Sequence, residues 1–416
     1  MAEPTAHPEL PDDRRPVVVA ARRTPIGRAG GALAGVEASL LVAQVIRDVV
    51  ADARVAAGQI EEVIVGNAAG GGGNLARLAA LEAGLPTEVP GVTVDRQCGS
   101  GLEAVVLASR LVAAGAGEVY LAGGGESVST APWRVRRPAR PGALPEFYAR
   151  ARFAPEAVGD PDMGVAAENV AARYGITRRR QDEFALRSHR RAVRAQQEGR
   201  FTAELSTVST AQGPVTADEC PRPDTSLEAL SALRPLFAAP GAGTVTAGNS
   251  CPLNDGAAMV VVTSRSVARA LGHERVLGFL DAASAGVDPN LLGTGSVAST
   301  RRLLARRPDL GGDPAHRGPD APAAVDRVEF NEAFAAQVLA SLDALGIPDE
   351  RVNLDGGALA LGHPFGASGA ILVTRLFSQL VRAPSPDAPL GARGLAMLGI
   401  AGGLGLTALF SSQTTG

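Results

Sequence analysis

"CGSGLEAVVLASRLV" (98–112) and "GASGAILVTRLFSQLV" (366–381) are two versions of one device, a Ser-Gly turn that opens an apolar helix. "EEVIVGN" (61–67) pairs in the same way with "DRVEFNE" (326–332), each a short alternating strand that ends at a turn. "VYLAGGGES" (119–127) pairs with "LGIAGGLGL" (398–406), each a buried-type strand running into glycines. Any α/β chain repeats strand, turn and helix, but here three pairs recur in the same order at nearly constant spacing. That predicts a duplicated α/β half.

The duplication divides the chain. The first half covers 16–128 and 246–274, and the second covers 275–416. Residues 129–245 read as an insertion. Its opening, "APWRVRRPARPGALPEFYARARFAPEAVGDPD" (131–162), is rich in Pro and Arg and has no period, so it reads as loop. Two amphipathic helices follow, "GVAAENVAARYGI" (164–176) and "TRRRQDEFALRSHRRAVRAQQEGRF" (177–201). A second loop is expected over 308–324, and the polar, proline-rich start, 1–15, reads as a disordered tail.

Composition removes several function classes. A chain of 416 residues that is 45% hydrophobic exceeds what one core unit usually holds, so two or more units are expected. The net charge of -3 gives no global argument for nucleic acid or an anionic membrane. There is no lysine, which excludes a P-loop lysine and a Schiff base, so any phosphate must be held by Arg, backbone N–H groups or a helix N-terminus. Cys98, Cys220 and Cys251 show no CxxC spacing, so neither a disulfide framework nor a zinc site is suggested, and no metal is expected. With no signal-type apolar region and no run long enough to span a bilayer, a soluble cytoplasmic protein is expected. The glycines 70–73 are not a GxGxxG followed by an acid, which leaves a dinucleotide site without support.

Cys98 falls at the junction of a strand and a helix, where the helix dipole would lower its pKa and favour the nucleophilic thiolate. Gly99 and Gly101 beside it would let a substrate approach the backbone. His363, in "GGALALGHPFGASGA" (356–370), is the one histidine set in a Gly/Pro turn. The duplication makes that turn the counterpart of the one carrying Cys98, so base and nucleophile would face each other. His189 lies on an amphipathic helix and reads as solvated or structural. Asn331, in "EFNEAF" (329–334), could donate to a developing oxyanion. Arg134, Arg136, Arg137, Arg140, Arg150 and Arg152 form a basic loop that either is simply solvated or meets phosphate or an acidic carrier protein.

At these residues the sequence resembles the thiolases, over nearly the whole chain from "ARRTPIGR" (21–28) to "AGGLGL" (401–406). "DRQCGSG" (95–101) is similar to the family's nucleophile motif, "FNEAF" to its Asn-Glu-Ala-Phe motif and "GGALALGHPFGASG" to its Gly-His-Pro motif. "MGVAAENV", "PRPDTSLEAL" and "TAGNSCPLNDGAA" are similar to loop-domain and CoA-site segments. The resemblance implies a five-layer αβαβα fold of two duplicated halves with an inserted loop domain. It also implies an acyltransferase on acyl-CoA or acyl-carrier-protein thioesters, assembled as a homodimer or homotetramer, with CoA as part of the substrate and no permanently bound cofactor. Carried over by motif, Cys98 takes the acyl group and His363 activates it, Asn331 with His363 lines one oxyanion hole, and the backbone N–H groups of Cys98 and Ala401 form another. Arg222, Cys251, Leu292 and Phe334 fall where family members contact the CoA arm.

The departures are as informative as the matches. The family's last motif reads Cys-x-Gly-Gly-Gly, and its cysteine shuttles the α-proton in Claisen chemistry; here Gly399 replaces it and Ala401 replaces the first glycine. Asp95, Gly125, Asp162, Ser296 and Ala298 depart from the pattern as well. Carbon–carbon bond formation with an atypical acid/base is therefore the first expectation. Decarboxylative condensation, acyl transfer or hydrolysis needs no α-proton abstraction, and a non-catalytic partner subunit is a further alternative. Gly399→Cys would restore α-proton exchange if the site accepts the side chain, and Cys251 is a candidate substitute for the lost group.

Overall fold

A computed structural model describes residues 11–239, 241–310, 324–382 and 389–416. Nine strands build its main sheet: β1 Pro16–Arg23, β2 Glu62–Gly66, β3 Gly91–Val94, β4 Val119–Ser127, β5 Asn254–Ser264, β6 Arg275–Gly286, β7 Arg327–Phe330, β8 Arg393–Ile400 and β9 Leu404–Thr414. Seven helices matter here: α1 Ala38–Ala53, α2 Ser100–Ala114, α3 Met163–Tyr174, α4 Arg178–Gln197, α5 Gly295–Arg306, α6 Ala335–Leu345 and α7 Ser368–Phe377.

The strand order is β7-β8-β9-β6-β1-β5-β4-β2-β3, with Gly27–Arg28 added against β5. Reading outward from the centre, β1-β5-β4-β2 on one side repeats as β6-β9-β8-β7 on the other, so the duplication is visible in the order itself. The halves meet edge to edge at β1 and β6 through Val17 opposite Gly278 and Val18 opposite Leu277.

Alternation within single strands assigns the layers, because neighbouring side chains point to opposite faces. Val18 and Ala21 face a central core with α2 and α7, shared with Leu398, Ala408 and Phe410 of the other half. Val17 and Val19 face an outer core against Leu41, Val45 and Val49 of α1. Leu395, Met397 and Leu409 face a second outer core with α5 and α6. The sequence of layers is therefore helix, half-sheet, the central pair α2/α7, half-sheet, helix.

Glycine makes the central contact possible. A Cβ on Gly101 would stand 2.6 Å from the Gly366 carbonyl oxygen, and one on Gly369 would stand 2.3 Å from the Leu102 nitrogen. Contacts this short leave no room for a Cβ on Gly101 or Gly369, so the two helix starts touch backbone to backbone. Cys98 and His363, each just ahead of one of these starts, are brought into the same region.

Between β4 and β5 the chain forms small hairpins, α3 and α4. Part of the segment expected to be loop is one of these hairpins, Arg134–Arg136 against Glu146–Tyr148, held by alternating Val135 and Phe147 that no helical or long-strand period would flag. Its basic residues are largely committed within the chain. Arg136 pairs with Glu146 at 3.0 Å, Arg150 with Asp160 and Asp162 at 3.0 Å each, and Arg152 with Glu156 at 3.7 Å. The segment is tied to the core by a buried network in which Arg23 bonds Glu204 and Asp218, each at 2.7 Å, and Arg375 of α7 bonds Glu204 and Asp355. Of the expected tail, residues 1–10 lie outside the described residues, but Asp12–Arg14 is a 3-10 turn. Asp12 pairs with Arg265 and Asp13 with Arg269. Most of the expected loop 308–324 also lies outside the described residues. Among the described residues no helix is long and apolar enough to cross a membrane.

Candidate active site

The turn that presents Cys98 is fixed by its own short side chains. Gln97 takes a left-handed conformation, φ 49°, unusual for a residue with a side chain. Asp95 compensates by accepting the Gln97 backbone N–H at 2.7 Å and its side-chain amide at 3.1 Å. Ser100 accepts from the Arg96 N–H at 2.8 Å and donates to the Gln97 carbonyl at 2.6 Å. Cys98 follows directly, and the nearby backbone N–H groups of Ala401 and of Cys98 itself favour its thiolate. Those are the two groups that the resemblance assigns to an oxyanion hole.

The thiol is not the low-pKa thiolate that a helix start alone predicts. Burial pushes it up to about 11, the two N–H groups only partly offset this, and Glu126 and Asp95 add to the rise. Although the residue as a whole is partly exposed, its sulfur lies among protein atoms, and a charge there loses its water.

In the turn ahead of α7, burial holds His363 down at about 3, so the imidazole is neutral at rest. Its orientation follows from its partners. Nδ1 is 2.6 Å from Ser368 Oγ, which is itself 2.9 Å from the Pro364 carbonyl. A carbonyl can only accept, so the hydroxyl proton goes to Pro364 and Nδ1–H donates to Ser368. That leaves Nε2 as the basic nitrogen, 3.3 Å from the Asn331 amide. The His363 N–H is fixed by Asn254 at 2.8 Å.

Several positioning groups carry no local sequence signal. Glu126, fully buried, accepts from Ala68 at 3.0 Å, Ala69 at 3.2 Å and Gly366 at 3.1 Å, so one carboxylate braces the turns of both halves. Glu332, next to Asn331, is held by Ser188, Asn353 and the Leu359 N–H. A sequence reader sees each as an isolated acid, because its partners lie far away in the chain.

Cys251 runs between the two catalytic segments. Its N–H donates to Ala333 at 2.9 Å, Ser250 bridges Phe334, and Leu253 bridges His363. Burial, and then the neighbouring Cys98, push its thiol well above the ordinary range. Leu292 is buried with Ala166, Ala167 and Val245, and Phe334 packs at the edge of that cluster with its ring 6.3 Å from Phe237.

Two cavities flank this centre. One, of about 370 Å³, is lined by Arg28, Arg222, His189 and Ser250 among others. His189 is thus no solvated helix residue: it is 6% exposed, accepts the Arg222 N–H at 3.2 Å, and is held down at about 4 by burial and then by Arg222. Arg28, not singled out in the sequence, adds a second cation. The other cavity, of about 670 Å³, lies on the Gln97 and Phe365 side.

Gly399 is where expectation and structure part. Its backbone is not in the left-handed region, yet a Cβ built on it would stand 2.3 Å from the Cα of Gly293 and 3.0 Å from the Gly293 carbonyl oxygen. The segment ahead of α5 occupies the space a side chain would need, so the position does not accept a cysteine without backbone movement.

The "Thiolase, N-terminal domain" family profile matches residues 16–266, and "Thiolase, C-terminal domain" matches residues 275–412. The chain belongs to the thiolase family. This thiolase is 45% identical over 395 residues to a Bacillus subtilis protein named "Putative acetyl-CoA C-acetyltransferase YhfS", with 95% of this chain and 98% of the relative covered. It is 42% identical over 399 residues to "Putative acetyl-CoA C-acetyltransferase VraB" of Staphylococcus epidermidis, with the same coverage. Among solved structures it resembles a Bacillus anthracis acetyl-CoA acetyltransferase, with TM-score 0.85 and 34% identity over 96% of this chain and 98% of that one. The αβαβα architecture of the thiolase and its place among acyltransferases follow from these matches.

Proposed function

We propose that the protein transfers an acyl group from a CoA or carrier-protein thioester to Cys98 and then forms a carbon–carbon bond from that acyl-enzyme. The observation that carries this reading is the close contact of the two helix starts, Gly101 on the Gly366 carbonyl and Gly369 on the Leu102 nitrogen, which brings Cys98 and an oriented His363 into one region. In the first step Nε2 takes the thiol proton as sulfur attacks the thioester carbonyl. The oxyanion then forms where the Cys98 and Ala401 N–H groups point. Collapse breaks the carbon–sulfur bond to CoA, which leaves as a thiol with the proton from His363. Arg28 and Arg222, on the polar cavity, suit the anionic arm of CoA.

The second step must produce a carbanion. Gly399 supplies no base, Gly293 fills its space, and the Cys251 thiol is held protonated. Loss of CO₂ from a malonyl-type thioester generates the carbanion without proton abstraction: the bond to the carboxylate breaks, and its electrons form an enolate whose oxygen accepts from the Asn331 amide, because His363 Nε2 carries no proton once CoA has left. The enolate carbon attacks the acyl carbon, the carbon–sulfur bond to Cys98 breaks, and the released thiolate takes a proton from solvent. This favours decarboxylative condensation over the proton-abstracting Claisen route. β3 ends the strand order with Val92 exposed, which suits pairing with a second copy in a cytoplasmic homodimer or homotetramer.

Intact mass after mixing with acyl-CoA tests the first step: the protein gains the acyl mass and Cys98→Ala does not. A Cys98→Ala variant that still gains it overturns the assignment. Solvent-deuterium exchange tests the second. Acetyl-CoA should exchange no α-proton while a malonyl thioester releases CO₂, and ready exchange that disappears in Cys251→Ala would restore the proton-abstracting route.

A further inference from the structure

The larger cavity has a composition unlike the rest of the chain. Only 4% of all residues are aromatic, yet five of the eighteen that line this cavity are: Trp133, Phe147, Tyr148, Phe153 and Phe365. Trp133 and Phe147, 85% and 63% exposed, form a wall that is open to solvent in the single chain. Trp133 and Phe147 stand edge to face at 5.7 Å, and Phe365 stands edge to face with the His363 ring at 5.1 Å. Arg136 covers Tyr148 at 5.5 Å and Arg150 covers Phe153 at 4.8 Å. Arg150 is paired with Asp160 and Asp162 and braces a ring, while Arg134, also on the wall, donates to the Ala69 carbonyl at 3.5 Å.

The cavity also touches the chemistry. Gln97, on its wall, immediately precedes the nucleophile, and Phe365 packs on the base. The polar, arginine-bearing cavity lies on the other side, against Ser250 and Pro252. An acyl-CoA laid across the centre would place its anionic arm in the polar cavity and its acyl group among the rings. At about 670 Å³ the space lies in the middle of the range for pockets that hold drug-sized molecules, roughly 300–1,000 Å³. An acetyl group would leave most of it empty.

From this juxtaposition we infer that the acyl group carried by Cys98 is a bulky apolar one, a medium-length alkyl chain or an aryl-bearing chain, held against the Trp133–Phe147 wall. The inference rests on the acyl-thioester reading above and specifies its substrate class. Ring-lined walls reward another ring with edge-to-face contacts beyond simple area burial. The two sources of an apolar group are therefore compared directly.

Trp133 is the single tryptophan, so its emission reports on this cavity alone, without any chemistry. Cys98→Ala protein is titrated with decanoyl-CoA, 4-phenylbutanoyl-CoA, acetyl-CoA and free CoA. The two bulky thioesters should change Trp133 emission and bind at least about tenfold more tightly than acetyl-CoA, and Phe147→Ala in the same background should weaken them by roughly tenfold. The stronger of the two identifies the chain or the ring as the preferred group. An equal response to free CoA, no response to either bulky thioester, or acetyl-CoA binding as tightly as both would overturn the assignment. If the emission responds as expected but intact Cys98 gains no acyl mass from the same thioesters, the cavity assignment is supported and the covalent reading fails.

Discussion

Gly399→Cys puts a thiol where the resemblance implies one, but the structure gives the expectation that it does not fit. The new Cβ would lie 2.3 Å from the Gly293 Cα, whereas unbonded carbons settle at about 3.5–4.0 Å, so one backbone must retreat by more than about 1 Å. Gly293 cannot retreat cheaply. Its φ of 90° is a glycine conformation, its carbonyl accepts Ser296 at 2.7 Å and Ser341 at 3.3 Å, and Gly295 just beyond it is packed against the Leu404 carbonyl. Overpacking of this kind costs about 1–3 kcal/mol. At roughly 1 °C per kcal/mol for a chain of 416 residues, Gly399→Cys should melt about 1–3 °C below the parent. Gly399→Ala carries the same Cβ and should fall nearly as far, which separates crowding from thiol chemistry. Neither variant should exchange the α-protons of acetyl-CoA with deuterated solvent. A cysteine variant that melts with the parent and gains exchange would refute the reasoning.

Three further outcomes follow from the same geometry. Glu204→Gln leaves Arg23 and Arg375 short of a buried counter-charge and should cost about 3–5 kcal/mol, read as a lower denaturation midpoint; an unchanged midpoint would contradict the network. With His363 held down at about 3 and Cys98 pushed up to about 11, both are neutral across the working range. The rate of Cys98 acylation should therefore be flat from about pH 5 to 9, and an inflection near the ordinary histidine value of about 6.5 would show an exposed imidazole. Ser368→Ala removes the acceptor that fixes the imidazole proton on Nδ1 and should slow acylation by roughly tenfold or more without weakening CoA binding, which separate measurements of rate and affinity would show.

The repeated turns at 98–101 and 366–369 made the duplicated halves readable, because a glycine-opened helix is a local pattern. Cys98, Asn331 and His363 stood out as candidates for the same reason, each marked by its place at the end of a strand or in a turn. Cys98's protonation was not: the sequence displays the helix start but not the burial that outweighs it. Glu126, Ser368 and the Arg23–Glu204–Arg375 network were equally hidden, since each works through partners distant in the chain. The glycine at 399, where the resemblance implies a cysteine, was visible as a letter. That Gly293 had taken up the space was not, because it depends on how closely the segment before α5 lies on β8.

The glycine contact between α2 and α7 has a bearing on how such a protein can change over generations. Gly101 and Gly369 leave no clearance, so substitutions along that line would part Cys98 from His363, the proposed nucleophile and base, before they altered what is bound. The walls formed by residues 133 and 147 are under no such restriction: Trp133 is 85% exposed and Phe147 is 63% exposed, and neither touches the contact. New acyl preferences could accumulate there, one ring at a time, while the chemistry stays where the two halves hold it.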